Sequence, residues 1–195
     1  MNEHDGGPDL SPAPWRAAIQ AALRAAGERP EARYLQLATV RPDGRPANRT
    51  VVFRGFDTGG DGLCFTTDAR SAKAGELAAN PWAEVCWYFA LSREQFRLGG
   101  RVVLASGATR ERLWESLSGP SRAGFLAPPP GSVYAEATGA GPGDLAGPPP
   151  VFSGLVLLAH RVEHLDLRTT PHTRFLHERD ESDDGGPWSV RRVQP

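Results

Sequence analysis

The sequence predicts a mainly β fold, a β-barrel of antiparallel Greek-key type with flanking helices. Two observations lead there. Five β-rich runs follow one another with short turns before residue 105, and no run of alternating strand and helix units suggests a parallel sheet. The sequence also lacks GxGxxG after a strand and GxxxxGK[ST] anywhere, so neither a Rossmann unit nor a nucleotide P-loop is present.

The elements follow in order. Residues 1–12, rich in Gly, Pro and charge, read as a flexible arm before a single domain over 13–195. SPAPWRAAIQAALRAAG offers Ser11 as a cap, Trp15, Ile19, Ala22 and Leu23 at helical spacing, and Gly27 as a stop. YLQLATV alternates apolar and polar residues, and RPDGRP turns it into ANRTVVFRGF, a hairpin. DTGGDG then leads into LCFTTD, which the same reading pairs with RTVVFRGF as a second hairpin. SAKAGELAANP is a short helix stopped at Asn80-Pro81. AEVCWYFAL and EQFRLGGRVVLAS are two further strands, ATRERLWESLS a helix, VFSGLVLLAHRVEHLDL a long apolar strand, and PWSVRRVQP a last short one. A Pro- and Gly-rich loop at about 127–150 separates the third helix from the long strand; it covers a site or is unstructured.

Composition excludes several classes of function. The 195 residues, 39% hydrophobic, suit one core, and 22 basic against 23 acidic residues leave a net charge of -1. No global field attracts nucleic acid or an anionic membrane, so any anion site is local. No apolar run approaches the roughly 20 residues of a membrane span, and MNEHDGGPD has neither the basic nor the apolar region of a signal peptide. The expectation is a soluble, cytoplasmic protein. Cys64 and Cys86 sit in apolar strands and read as core fillers. His160, His164, His172 and His177 have no ligand spacing typical of zinc.

The local anion site is legible between Arg49 and Lys73. Arg49 opens one strand, and Arg70, Ser71 and Lys73 crowd the turn before a helix, a set of cations and a hydroxyl suited to a phosphate. Plainer readings stand beside it. An arginine at a strand start is ordinarily a solvated edge charge, Ser71 suits a helix cap, and Gln95 suits an outward position on an alternating strand. Trp82, Trp87 and Tyr88 suit core or dimer packing better than a platform for stacked bases.

Taken together, RTVVFR (Arg49–Arg54), Phe65-Thr66-Thr67, the RSAK run, Asn80-Pro81, Arg93-Glu94-Gln95 and the closing WSVRRVQP make the chain resemble the pyridoxamine 5'-phosphate oxidase family of FMN-binding split β-barrels. The resemblance runs from about Pro14 to Pro195. The WYF after Glu84, the RSxK spacing and VEHLDL look more like the family's branch of unassigned substrate than like the oxidase of vitamin B6 metabolism. The resemblance implies that Arg49, Arg70, Ser71 and Lys73 bind the FMN phosphate, that the backbone of Thr50, Val51 and Val52 runs along the flavin ring, and that Phe65, Thr66 and Gln95 also meet it. Arg174 matches an arginine that reaches FMN from the other subunit of a homodimer.

On the substrate side the chain departs from the vitamin B6 oxidase. The family's anchoring lysine reads Arg54, its tyrosine and arginine read Leu113 and Leu117, and Ser121 matches its serine. His172 matches a histidine of an Arg-Leu-His motif whose arginine reads Thr170, and a tryptophan flanking the flavin reads Leu165. The implied function is an FMN-dependent oxidoreductase acting on an unassigned small molecule, with no side chain required as nucleophile. The alternatives are a non-catalytic FMN carrier or sensor and a genuine pyridoxamine/pyridoxine 5'-phosphate oxidase. A third reading is a related barrel binding a deazaflavin or haem.

Overall fold

The architecture is described from a computed structural model, which describes residues 12–58, 60–134, 147–180 and 186–195. Residues 1–11 of the expected 1–12 arm, the proposed Ser11 cap and the centre of the Pro/Gly-rich loop at 135–146 lie outside the described residues.

The fold is mainly β, as expected. Helix α1 (Arg16–Ala26) is followed by β1 (Tyr34–Val40), β2 (Pro46–Val52), β3 (Leu63–Asp68), α2 (Ala72–Ala79), β4 (Trp82–Phe89), β5 (Glu94–Leu104), α3 (Gly107–Glu115), α4 (Gly119–Ala123), β6 (Phe152–Asp166), β7 (Thr173–Glu178) and β8 (Ser189–Val193). All eight strands pair antiparallel, in the order β2-β1-β4-β5-β6-β7-β8, with β3 on β6.

The 15-residue β6 organises the barrel. One edge carries β5 along most of its length; the other is divided, with β3 on residues 152–157 and β7 on residues 161–166. Residues just beyond β2 close the ring onto β3, through the Arg54 N–H to Cys64 O bond (2.8 Å), the Cys64 N–H to Gly55 O bond (2.9 Å) and a Phe56–Leu63 bridge. The expected hairpin between RTVVFRGF and LCFTTD is corrected here. β2 pairs with β1, β3 pairs with β6, and the two meet only at this short seam, because β3 gains more by burying Leu63, Cys64 and Phe65 against the apolar start of β6.

At Gly99/Gly100 the β5–β6 register shifts, and β6 crosses so close that a Cβ on Gly100 would lie 2.0 Å from the Leu158 carbonyl oxygen. Only glycine permits that approach. The main core holds Trp15, Ile19, Leu35, Leu37, Phe53, Phe65, Val85, Trp87, Phe96 and Leu98, with Trp188 edge-on to Trp15 at 5.8 Å. Helix α1 starts at Arg16, later than expected; Pro12 and Pro14 disfavour helix in the residues before them, and the Ala13 N–H is taken by Asp61 Oδ2 at 2.7 Å. Strand β7 and the short α4 were not expected from the sequence.

Candidate functional site

The site begins with alternation. On β1, Leu35, Leu37 and Thr39 point inward, so Thr39 is a 2% exposed hydroxyl facing the barrel, and its cross-strand neighbourhood on β2 includes Arg49, paired with Leu37. Helix α2 turns Glu76 and Leu77 to the same interior. The Arg49 guanidinium then meets Glu76 Oε2 at 2.6 Å, the Thr39 hydroxyl at 2.5 Å and the Leu37 carbonyl at 3.3 Å.

One turn away, Ser71 stands at the start of α2 yet makes no side-chain cap bond. Its buried hydroxyl faces Thr67 Oγ1 at 3.1 Å. The Lys73 ammonium donates to Thr67 Oγ1 at 2.9 Å and to Ser71 Oγ at 3.4 Å. Among the described residues it has no carboxylate within ion-pair distance. Burial, reinforced by the nearby Arg49 charge, holds the half-buried lysine below its ordinary pKa. Glu76 is held below the usual carboxylate range by the Thr39 hydrogen bond first and by Arg49.

Arg70 leaves this cluster, contrary to the sequence expectation. Its guanidinium grips Asp68, Nη2 to Oδ2 at 2.6 Å and Nε to Oδ1 at 2.9 Å, and reaches the Ala127 carbonyl at 3.1 Å. A carboxylate two residues upstream competes directly for the side chain, and that hydrogen bond holds Asp68 below its ordinary pKa. The Phe65 side chain is 1% exposed in the core, so it is the backbone there that stays open to a ligand. Thr50 is exposed and Val52 half-buried on the outer face of the sheet, while Val51 points inward; Thr66 is half-buried on β3.

A second group lies on that outer face. Gln95 pairs across the strands with Leu165, and Leu165 with Arg174, so the two expected flavin residues flank Leu165 in one row. Tyr88 and Val193 extend the row on either side. Arg174 bonds Glu163, a nearly buried carboxylate that Arg161 (3.1 Å) and Arg97 (3.6 Å) also approach. Arg49, by its pairing with the inward-facing Leu37, belongs to the opposite face of the sheet.

The substrate-side expectations scatter. Arg54 is half-buried, and its Nε–H is buried with no partner among the described residues; burial and Arg33 lower its pKa. Leu113 and Leu117 are 0% and 5% exposed in a second core with Cys64, Trp114 and Phe152, so they face no ligand. Ser121 is tied to Ser118 (Oγ to Oγ 3.0 Å) near the surface. His172 bonds the Thr169 carbonyl through Nδ1 at 2.8 Å and lines a cleft of about 420 Å³ with Arg192 and Gln194. Both cysteines are free thiols, and among the described residues no group of three His, Cys, Asp or Glu side chains could hold a metal. No helix among them is long and apolar enough to cross a membrane.

Sequence reading missed Thr39, Thr67 and Glu76. An inward hydroxyl in the alternating YLQLATV, and a glutamate beside Leu77 on the buried side of α2, were the available signals.

The donor set fits a phosphomonoester: an uncompensated ammonium, a guanidinium with free N–H groups, two hydroxyls and the first turn of an eight-residue helix. The family model described as pyridoxamine 5'-phosphate oxidase, FMN-binding domain, matches residues 12–106. The chain is 36% identical over 174 residues to pyridoxine/pyridoxamine 5'-phosphate oxidase 2 of Arabidopsis thaliana, covering 84% of this chain and 88% of that one. Among solved structures, a pyridoxamine 5'-phosphate oxidase-related, FMN-binding protein from Nostoc punctiforme superposes with a TM-score of 0.88 at 43% identity, covering 95% of this chain and 100% of that one. PhzG from Burkholderia lata, in complex with tetrahydrophenazine-1-carboxylic acid, superposes at 0.75 with 25% identity, covering 97% and 100%. The chain belongs to the pyridoxamine 5'-phosphate oxidase family of FMN-binding split barrels, and its cofactor is FMN.

Proposed function

We propose that the protein is an FMN-dependent oxidoreductase acting on a small anionic molecule, and that it works as a homodimer with FMN at the interface. The observation that carries the phosphate assignment is Lys73, half-buried at the α2 N-terminus and, among the described residues, bonded only to hydroxyls. An ammonium so placed, already disfavoured by burial, is stabilised when a dianionic phosphate arrives. In this reading Lys73, Ser71, Thr67 and Arg49 hold the phosphate, and Arg70 acts indirectly by fixing Asp68 and the 125–127 backbone. Thr50, Val51, Val52, Phe65 and Thr66 offer backbone to the ring, and Gln95 and Arg174 approach it from the second subunit. Bound FMN supplies hydride transfer, so the chain's own task is to hold, orient and shield.

The dimer reading is supported by the separation of the Arg49 cluster from the Gln95–Arg174 row on opposite sheet faces. It is also supported by exposed apolar residues on the outer surface: Tyr88 at 48%, Val103 at 42% and Leu104 at 72%. An anionic substrate is supported by Arg54 and Arg33, neighbouring cations for which no carboxylate partner exists among the described residues. PhzG is solved with a carboxylic acid, and the curated relatives are named for phosphorylated substrates.

Leu113 and Leu117 support a second reading, an FMN carrier without turnover, because at the two positions where the family's tyrosine and arginine grip substrate this chain carries leucines packed in the core. Anaerobic reduction of the purified, FMN-loaded protein separates the two. Bleaching of the flavin by NADH, NADPH or a pyridoxine 5'-phosphate supports the oxidoreductase. A flavin inert to every donor supports the carrier.

A further inference from the structure

Arg49 is not held by one contact but by a closed ring. Its Nη1 donates to the Thr39 hydroxyl (2.5 Å), that hydroxyl donates to Glu76 Oε2 (2.5 Å), and the same carboxylate oxygen accepts from Arg49 Nη2 (2.6 Å). The Leu37 carbonyl adds a further acceptor to Nη1 at 3.3 Å. Thr39 and Glu76 are 2% and 7% exposed, so the two groups that hold the guanidinium are shut away from water, where a geometry set by hydrogen bonds is hard to rearrange. The ring occupies the Nη1/Nη2 end of the guanidinium. Of five N–H donors, the Nε–H and the second Nη2–H have no partner among the described residues. These two form one edge of the planar group, a fork that matches two oxygens of a phosphate.

We propose that Glu76 and Thr39 are positioning residues that aim this fork of Arg49 at the phosphate, and thereby set the preference for FMN over unphosphorylated riboflavin. The proposal rests on the reading of Arg49 as a phosphate ligand. It has a counter-intuitive feature. A carboxylate beside a phosphate site opposes the anion by charge, so Glu76 must act through orientation if it favours binding at all. Coulomb repulsion and orientation therefore predict opposite signs for its removal.

The test uses the full-length protein freed of flavin, titrated with FMN and separately with riboflavin by quenching of flavin fluorescence. Glu76→Ala and Thr39→Val each lower FMN affinity about tenfold or more, the scale of one charge-assisted hydrogen bond, and leave riboflavin affinity unchanged. Glu76→Gln and Thr39→Ser, which keep an acceptor and a hydroxyl in place, retain FMN affinity within about threefold of wild type. The proposal is overturned if Glu76→Ala tightens FMN, if the ratio of FMN to riboflavin affinity stays at the wild-type value in both disruptive variants, or if both flavins are lost alike. Should Glu76→Ala fail to fold, Thr39→Val decides. Arg49→Ala run beside them separates the two levels: an unchanged ratio there removes Arg49 as a phosphate ligand, whereas a collapsed ratio with insensitive Glu76 and Thr39 variants removes only their positioning role.

Discussion

The Lys73 ammonium lies 2.9 Å from the Thr67 hydroxyl, at the mouth of a helix whose other nearby cations are already engaged, Arg49 by Glu76 and Arg70 by Asp68. The charge available to an incoming phosphate is therefore concentrated on Lys73, with Arg49 supplying direction more than net charge.

Unequal effects follow for the two residues of the RSAK run. Lys73→Met lowers FMN affinity about 10- to 100-fold, the scale of a lost charge-assisted contact of roughly 1.5–3 kcal/mol. Arg70→Ala stays within about threefold, because its guanidinium serves Asp68 and the Ala127 carbonyl. Isothermal titration with FMN measures both.

Alkaline pH weakens FMN binding through the same lysine. Its pKa in the flavin-free protein lies below 10.5, and a bound phosphate restores it, so binding is linked to proton retention. Affinity falls as pH rises through the depressed pKa and stops falling once the bound-state pKa is passed. Titrations over pH 7–11 show the decline in wild type; Lys73→Arg, which does not deprotonate in that range, abolishes it.

At acid pH the Asp166–Arg168 pair contributes instead to folding. The Arg168 hydrogen bonds hold Asp166 at about 2 against an ordinary 3.8, so its stabilisation is present above the ordinary value and is lost as pH falls toward 2. Asp166→Asn reduces the slope of thermal midpoint against pH between about 4 and 2 and leaves it unchanged near neutrality.

Leu113 separates packing from ligand binding. It is fully buried beside Trp114, Leu117 and Phe152, so Leu113→Ala destabilises the fold by about 2–5 kcal/mol in urea melts, with FMN affinity per folded molecule unchanged.

Much of this fold is legible in the sequence because local pattern and burial agree. Ile19 and Ala22 are the buried residues of α1, with Trp15 buried on the same face at its cap, and YLQLATV alternates and forms β1 without a residue to spare. Strand β7 escaped because its outward positions carry Arg174 and Glu178, whose charges are met by Glu163, Arg161 and Arg191 from β6 and β8. Arg54 and Lys73 could be singled out by type, but neither the loss of Arg70 to Asp68 nor the ring around Arg49 can be read from spacing. Each depends on which of several nearby carboxylates a guanidinium reaches, and that is decided by the packing of α2 on β1. The pairing of β3 with β6 likewise joins segments about 90 residues apart, beyond any local signal.

Association into a dimer should leave a direct trace. Size-exclusion chromatography with light scattering gives twice 21.0 kDa for the FMN-loaded protein. Mixing a Lys73→Met chain with an Arg174→Ala chain, each weak in FMN alone, regenerates one intact site per heterodimer and recovers tight binding. Recovery absent from the mixture places both residues in one protomer's site.

The central claim is that the Arg49–Ser71–Lys73 cluster holds the phosphate of FMN. Paired titrations of FMN and riboflavin against wild type and an Arg49→Ala/Lys73→Ala double variant test it most directly. The account predicts a wild-type preference for FMN of about 100-fold or more that collapses to near unity in the double variant, with riboflavin binding retained. A double variant that keeps the wild-type preference contradicts it.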